Sequence, residues 1–296
     1  MLPVGRWTVY FTHLEHCTSR VLQLDNTSYR LILTLVINSP EASIEQDGQS
    51  LVRPIDKTKY DRIRRIFSAR WSALGGLSVH SDEPIDLSQG GEIAAANHDS
   101  WWDPWAMAEA YHQVGNTYLR SMAKEELWKK RPIIANKFGD TITDLGGFPV
   151  KRRKNFFDQP VAIANVAHIK DNDEVLMMFP QGTRKNHNVG EIPLESLENG
   201  IGFIAVKFGL PIRAIGVRGT AEKQFAHAVL GQRLDVKQED FDPRNRREFV
   251  EIGRGVVQPM IVELQELMHE AAMTAEARRN EIVQMMPPYF LKTAII

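Results

Sequence analysis

Between residues 77 and 260, short continuous apolar runs alternate with longer amphipathic segments. Continuous apolar runs predict strands that are buried on both faces, and the amphipathic segments between them predict helices. The predicted strands cover residues 92–96, 117–122, 174–179, 211–217 and 253–257, and the predicted helices cover 104–114, 125–137, 156–170 and 195–208. This alternation indicates an α/β fold, with a largely parallel mixed sheet flanked by helices.

A basic amphipathic helix is predicted to precede this sheet. Apolar residues recur there at spacings of three and four: Tyr60, Ile63, Phe67, Trp71 and Leu74. Residues 51–75 also carry seven basic residues and two acidic ones. The basic residues are Arg53, Lys57, Lys59, Arg62, Arg64, Arg65 and Arg70. Two interpretations stay open. The stripe is core, with a solvated basic face, or the helix binds an anionic lipid surface.

The predicted organisation has four segments. Residues 1–50 form an unassigned extension in which 7–11 and 29–37 are strands or short helices and 38–50 is a linker. Residues 51–76 contain the basic helix, 77–260 form the catalytic domain, and 261–296 form a helical tail.

The amino-acid composition argues against several classes of function. The 296 residues carry a formal net charge of −1, so no basic excess favours nucleic acid as a partner. Cys17 is the single cysteine, which excludes an intramolecular disulfide and a cysteine-rich metal site and suits a reducing cytoplasm. No apolar stretch reaches the roughly 18–20 residues that a membrane span needs, and the N-terminus is a poor signal peptide. We expect a cytoplasmic protein, soluble or bound at a membrane surface.

The first candidate for chemistry is the pair His98 and Asp103, which follows the predicted strand 92–96. A histidine that is hydrogen-bonded to a buried carboxylate keeps one tautomer, and its other nitrogen is free to act as a general base. The alternative is a loop histidine beside an aspartate that caps the helix beginning at Pro104. A metal site with Asp99 is a weaker hypothesis, because further ligands at short spacing are missing.

Two loops with glycine and basic residues follow the sheet. The first contains Gly146, Gly147, Phe148 and Arg152 after a predicted strand, and the second contains Gln181, Gly182, Thr183 and Arg184 after strand 174–179. Glycine permits close approach of the backbone to a ligand, and arginine forms bidentate pairs with phosphate. Each loop alone is typical of a solvated turn, but together they favour an anionic, phosphate-bearing substrate.

In this order the motifs resemble those of the glycerolipid acyltransferases. His98 and Asp103 resemble the H-x4-D motif, 146–152 resembles G-x-F-x-x-R, 179–184 resembles F-P-E-G-T-R, and 210–215 is similar to a fourth, proline-led apolar strand. The resemblance covers roughly residues 75–260. One departure is Gln181, which stands where the third motif usually has glutamate.

The resemblance implies an acyltransferase at a membrane surface, close to the 1-acyl-sn-glycerol-3-phosphate acyltransferases. It implies acyl-CoA or acyl carrier protein as the donor, a lysophosphatidate-like acceptor, and no cofactor or metal. His98 would deprotonate the acceptor hydroxyl and Asp103 would orient it. Gly147, Phe148, Arg152, Gln181, Gly182, Thr183 and Arg184 match positions that bind the substrate.

Three alternatives remain at this stage. The acceptor is glycerol 3-phosphate or another lysolipid, or the chain is a non-catalytic lipid- or phosphate-binding homologue, or it is a hydrolase that transfers the acyl group to water. The paired His98 and Asp103 count against a binder, and Gln181 counts mildly for one.

Overall fold

The computed structural model describes most of the chain from residue 52 onward and three short strands before it. The described residues are 7–11, 42–46, 49–50, 52–72, 76–88, 90–98, 100–128, 136–151, 156, 159–182, 200–220, 225–239 and 245–285.

Ten strands are present in this part of the chain. They are β1 (Trp7–Phe11), β2 (Ala42–Gln46), β3 (Gln49–Ser50), β4 (Leu77–Ser81), β5 (Glu92–Ala96), β6 (Leu119–Lys124), β7 (Phe148–Val150), β8 (Val175–Met178), β9 (Ile212–Arg218) and β10 (Ala226–Leu234). Strands β1, β2 and β3 form a small antiparallel sheet. The other seven form a sheet in the order β4-β10-β9-β5-β8-β6-β7. Its pairs β4–β10, β5–β9 and β6–β7 are parallel, and β9–β10 is antiparallel.

Six α-helices accompany the strands. They are α1 (Lys57–Ser72), α2 (Asp103–Gly115), α3 (Asn136–Asp144), α4 (Pro160–Asp171), α5 (Gly200–Phe208) and α6 (Arg246–Met285). A 3₁₀ turn, Glu125–Leu127, follows β6. None of these helices is both long enough and apolar enough to cross a membrane. The predicted α/β fold with a mostly parallel sheet is thus confirmed.

The chain divides into two compact units. The first comprises the described residues within 1–60, 87–92 and 119–176. Arg120 on β6 is 1% exposed, and its guanidinium donates to the Glu174 carboxylate and to the Arg53 carbonyl oxygen. Burial alone would raise the pKa of Glu174, but hydrogen bonds from His168 and Arg120 outweigh it and hold that pKa below its usual value. A buried arginine therefore ties β6 to the segment before α1 and to the start of β8.

The second unit comprises 61–86, 93–118 and the described residues from 177 onward. Its core lies between β9 and the long helix α6. Apolar side chains recur along α6 at helical spacing and are buried: Val257, Met260, Ile261, Leu264, Leu267, Met268 and Ala271. At Gly216 on β9, an added Cβ would lie 2.3 Å from the Leu267 main chain, so the close approach of α6 to the sheet requires glycine there.

The helix α1 contributes to the second unit through residues 61–72. Arg64 donates to the Glu109 carboxylate of α2 at 2.7 Å, and the two side chains are only 10% and 8% exposed. Phe67 stacks on Trp105 with ring centroids 3.8 Å apart. Ile66, in contrast, is 60% exposed, and Arg62 and Arg65 are exposed. One face of α1 is therefore packed, as the core interpretation expects, and another is exposed.

Four sequence predictions are wrong in detail. Residues 253–257, predicted as a strand, lie inside α6, because Val257 belongs to the helical stripe that packs on the sheet. The linker predicted over 38–50 contains β2 and β3, which gain backbone partners from β1 and from each other. Of the helix predicted over 125–137, the described part is a 3₁₀ turn and the start of α3. The loop at Gly146 follows α3 and not a strand.

Three further strands, β4, β7 and β10, have no counterpart among the predicted elements. Strand 92–96 is present with the predicted bounds, and residues 7–11 form a strand. The remaining predicted strands and helices are present with shifted ends, and residues 29–37 and 195–199 lie outside the described residues. The segment boundaries at 50, 76 and 260 stay predictions.

Candidate active site

The site begins where β5 ends. Asn97 is fully buried, and its side chain bonds the main chain of Val217 twice. Its Nδ2 donates to the Val217 carbonyl oxygen at 2.9 Å, and its Oδ1 accepts from the Val217 N–H at 2.7 Å. The side chain thereby continues the β5–β9 pairing beyond Ala96, the last paired residue of β5. This anchor fixes the position from which His98 leaves the sheet.

His98 and Asp103 come together as predicted. The imidazole Nδ1 lies 3.0 Å from Asp103 Oδ2. The Asp103 side chain is 0% exposed and the His98 side chain 17% exposed. A carboxylate that accepts from Nδ1–H leaves the Nε2 lone pair free, and the partial exposure of His98 leaves its ring open to a second molecule. The pair therefore has the geometry of an oriented general base.

Asp103 is held by the turn before α2 and by the segment after β9. The Ser100 N–H donates to Oδ2 at 2.7 Å, and the Thr220 hydroxyl donates to Oδ1. Asp103 does not occupy the cap position of α2, because it is the first residue of that helix and Trp102 precedes it, without a capping hydrogen bond from the Trp102 side chain. Its carboxylate bonds the turn and His98. These hydrogen bonds fix the orientation of the carboxylate beside His98.

The turn after β8 holds His98 on two sides. The Phe179 ring stacks on the imidazole, with centroids 4.1 Å apart and planes 20° apart. The Gln181 side chain accepts from the His98 N–H through Oε1 at 2.5 Å, and Gln181 is 2% exposed. Gly182 closes the turn with its N–H on the Phe179 carbonyl oxygen at 2.9 Å and has φ +63. The turn fixes both the ring and the main chain of His98.

The Gly147 loop belongs to the first unit. Gly146 has φ +72, and the N–H groups of Gly146 and Gly147 bond the carbonyl oxygens of Thr143 and Ile142, as at the left-handed end of a helix. A Cβ on Gly147 would lie 2.2 Å from the Ile142 side chain. Phe148 is 4% exposed at the start of β7. In the structure described, both residues are required by packing.

Arg152, Thr183 and Arg184 lie outside the described residues, as does Asp99. Within the described ranges, no group of three histidine, cysteine, aspartate or glutamate side chains is arranged to hold a metal ion.

Sequence reasoning missed two contributors to the site. Thr220 binds Asp103 from 117 residues away, and no local pattern marks it. Phe179 was part of a quoted motif, but its stacking on His98 depends on how β8 and β5 are placed in the sheet. An aromatic residue at the end of the strand before the glycine turn was the only available signal.

Comparisons with known proteins find similarity to acyltransferases over part of the chain. Residues 76–218 match the family described as Acyltransferase. A curated relative, the 1-acyl-sn-glycerol-3-phosphate acyltransferase of Streptococcus pneumoniae, is 33% identical over 119 residues. That alignment covers 40% of this chain and 41% of the relative, so the match spans about two fifths of the relative's length.

Among solved structures, the chain is similar to the 1-acyl-sn-glycerophosphate (LPA) acyltransferase PlsC of Thermotoga maritima. The TM-score is 0.44 and the identity 20%, over 78% of this chain and 93% of that one. The segment that matches the family contains β4, β5, β8 and β9 together with His98, Asp103 and Gln181. This family match covers residues 76–218, just under half of the chain.

Proposed function

We propose that the protein transfers a fatty acyl group from a thioester donor to the hydroxyl of a phosphate-bearing acceptor, with 1-acylglycerol 3-phosphate as the acceptor and acyl-CoA or acyl carrier protein as the donor. The observation that carries the proposal is the buried Asp103 carboxylate 3.0 Å from Nδ1 of the partly exposed His98. The family match and the name of the S. pneumoniae relative support the choice of reaction and acceptor.

The chemistry follows from the free Nε2 of His98. Nε2 takes the proton of the acceptor hydroxyl as its oxygen attacks the thioester carbonyl carbon. The tetrahedral intermediate collapses, the carbon–sulfur bond breaks, and the imidazolium returns the proton to the leaving thiolate. Asp103 stabilises the imidazolium while it exists and keeps the ring in one tautomer. The ester and the free thiol are the products, and the enzyme ends in its starting state.

The discriminating experiment measures thioester release with and without acceptor, and product mass, from a mixed pool of donors and acceptors. We expect release that requires 1-acylglycerol 3-phosphate and yields the diacyl product. Release without any acceptor would identify a hydrolase. No release from any donor would identify a binding protein. Release with a different acceptor would correct the acceptor alone.

The phosphate of the acceptor is assigned to Arg152 and Arg184, by the resemblance of their motifs. A charged hydrogen bond to a phosphate is typically worth about 1.5–3 kcal/mol, or about 10- to 150-fold in affinity. We expect Arg152→Ala and Arg184→Ala to raise the acceptor KM by that factor with the donor KM unchanged, and lysine to rescue poorly. Two variants with the wild-type acceptor KM would refute the assignment.

We also propose that the protein is peripheral on the cytoplasmic face of a membrane and that the exposed face of α1 binds anionic lipid. Arg62, Arg65 and Ile66 are exposed on this face. Arg64 is not available to a headgroup, because it is paired with Glu109 on α2. A basic residue near an anionic surface contributes about 1 kcal/mol, and this attraction weakens as salt rises.

The vesicle experiment uses Arg64 as its matched control. We expect co-sedimentation with anionic vesicles at low salt, poor binding to neutral ones, and a loss on replacing Arg62 and Arg65 by glutamine without unfolding. Arg64→Gln should lower the melting temperature instead, because it leaves the buried Glu109 carboxylate without its positively charged partner. Binding that ignores lipid charge, salt and the double replacement would exclude this surface.

A further inference from the structure

The main chain of the proposed base is held by one buried side chain. The His98 N–H donates to Oε1 of Gln181 at 2.5 Å, and Gln181 is 2% exposed. This bond orients the amide, since only its oxygen can accept from an N–H. The other end of the amide, Nε2, is also buried and has no hydrogen-bond partner within the described residues.

An unpaired buried donor lowers stability, so the polar end of Gln181 is costly. Within the described residues, the amide oxygen of Gln181 accepts a hydrogen bond, and the amide nitrogen donates none. Because the acceptor oxygen is what His98 requires, glutamate would serve the same bond. Glutamate would differ in one respect, since it would place a second negative charge beside the histidine.

The added charge of a glutamate at position 181 would affect the protonation of His98, because His98 contacts few charged groups in the described part of the chain. Within the described residues, three groups contact His98: the Asp103 carboxylate on α2, the Phe179 ring at the end of β8 and the Gln181 amide. Phe179 and Gln181 are neutral, so Asp103 is the one charged group among these contacts. A second carboxylate within a few ångströms would stabilise the imidazolium and keep the base protonated to higher pH.

We propose that Gln181 is a positioning residue for His98, and that its amide fixes the main chain of the base without adding a second negative charge to it. The inference rests on the proposed role of His98 as the base. It predicts that the neutral amide extends the activity of this enzyme to lower pH than a carboxylate at position 181 allows.

Two variants separate the two parts of the proposal. Gln181→Met has similar length and no acceptor, so it removes the clamp and adds no charge. Gln181→Glu keeps an acceptor for the His98 N–H and adds the charge. The exposed Gln258 on α6 provides the control, since Gln258→Glu adds the same charge on the surface.

The titration of His98 is followed by NMR on histidine-labelled protein, with His98→Gln to assign the signal. We expect the midpoint in Gln181→Glu to move up by about one pH unit, and the midpoints in Gln181→Met and Gln258→Glu to stay near the wild-type value. An unchanged midpoint in Gln181→Glu overturns the electrostatic part. The measurement needs no substrate, so it can fail or succeed whether or not the proposed reaction is correct.

Kinetics test the clamp. We expect Gln181→Met to lower kcat at least about 10-fold at every pH, with both KM values within about threefold of wild type, because a displaced base loses the reacting geometry and not substrate affinity. We expect Gln181→Glu to approach the wild-type kcat at high pH and to show an acid limb displaced upward. Wild-type kcat in a folded Gln181→Met overturns the positioning role, and equal losses in both variants with no displaced limb mark Gln181 as a packing residue only.

Discussion

His98 and His227 lie in the same compact unit, and each imidazole contacts a polar partner through Nδ1. The partner of His98 is the buried carboxylate of Asp103, whereas the partner of His227 is the hydroxyl of Ser78. The guanidinium of Arg278 on α6 donates to that same hydroxyl. His98 therefore faces a negative charge, and His227 lies close to a positive one.

The neighbours of the two rings decide what each can do. His227 is 5% exposed, and burial, followed by the charges of Arg278 and His80, lowers its pKa to about 4. A ring that resists protonation and is shielded from solvent cannot carry a proton between substrates near neutral pH. It can accept the Ser78 hydroxyl hydrogen and so fasten β4, β10 and α6 together. Of these two histidines with similar contacts, His98 has the surroundings that the proposed general base needs, and His227 contributes to packing.

The largest expected effect is on catalytic activity, and it distinguishes His98 from His227. His98→Ala should lower kcat by about 10⁴-fold, the upper end for general base catalysis, with a melting temperature near that of wild type. His227→Leu should leave kcat of the folded enzyme unchanged. Turnover measured on both variants at one temperature checks this, and a His98→Ala enzyme with more than a tenth of wild-type activity would remove His98 as the base.

Asp103→Asn should have the next largest effect. The amide loses the charge that stabilises the imidazolium, so kcat should fall by about 10²-fold, less than in His98→Ala. The melting temperature should fall as well, since the hydrogen bonds from Ser100 and Thr220 meet a poorer acceptor. Thr220→Val is the matched control, because it removes one of those bonds and leaves the charge. Wild-type turnover in Asp103→Asn would leave the aspartate a structural role alone.

A smaller effect is expected on folding at the second histidine. His227→Leu leaves the Ser78 hydroxyl without its acceptor, so the free energy of unfolding should fall by about 1–3 kcal/mol. Chemical denaturation measures the loss. His80→Gln is the control, because the His80 side chain is 56% exposed at the edge strand β4. Equal stability of His227→Leu and wild type would show that the contact with Ser78 contributes nothing to the fold.

The last expected effect is the pH dependence of stability. The pKa of His227 is about 4 when folded and near 6.5 when unfolded, so the unfolded chain binds more protons between these values. The contribution of His227 is therefore complete above about pH 6.5 and is lost as the pH falls towards 4. Subtracting the curve of His227→Leu from that of wild type isolates it. A difference that does not change between pH 7 and 4 would contradict the buried neutral state.

The sequence alone determined the fold class and singled out the pair His98 and Asp103. Buried strands alternating with amphipathic helices have a local signature, and the five-residue spacing of His98 and Asp103 lies within a single strand-to-helix connection. Both are properties of residues that lie close together in the sequence, so they can be recognised before the tertiary structure is known. The same local basis explains one error. Residues 253–257 contain only two large apolar side chains, Val256 and Val257, too few to distinguish a strand from one part of a helical stripe.

Tertiary structure decided everything that joins distant segments. Thr220 reaches Asp103 across 117 residues, and Gln181 reaches the His98 N–H across 83. Arg64 was counted with the lipid-binding charges, but Glu109 on another helix removes it from that set. Strand β2 exists because β1 supplies its hydrogen bonds. Hydrogen bonds and ion pairs between segments depend on the register of the strands and the packing of the helices, and neither is encoded in a local pattern.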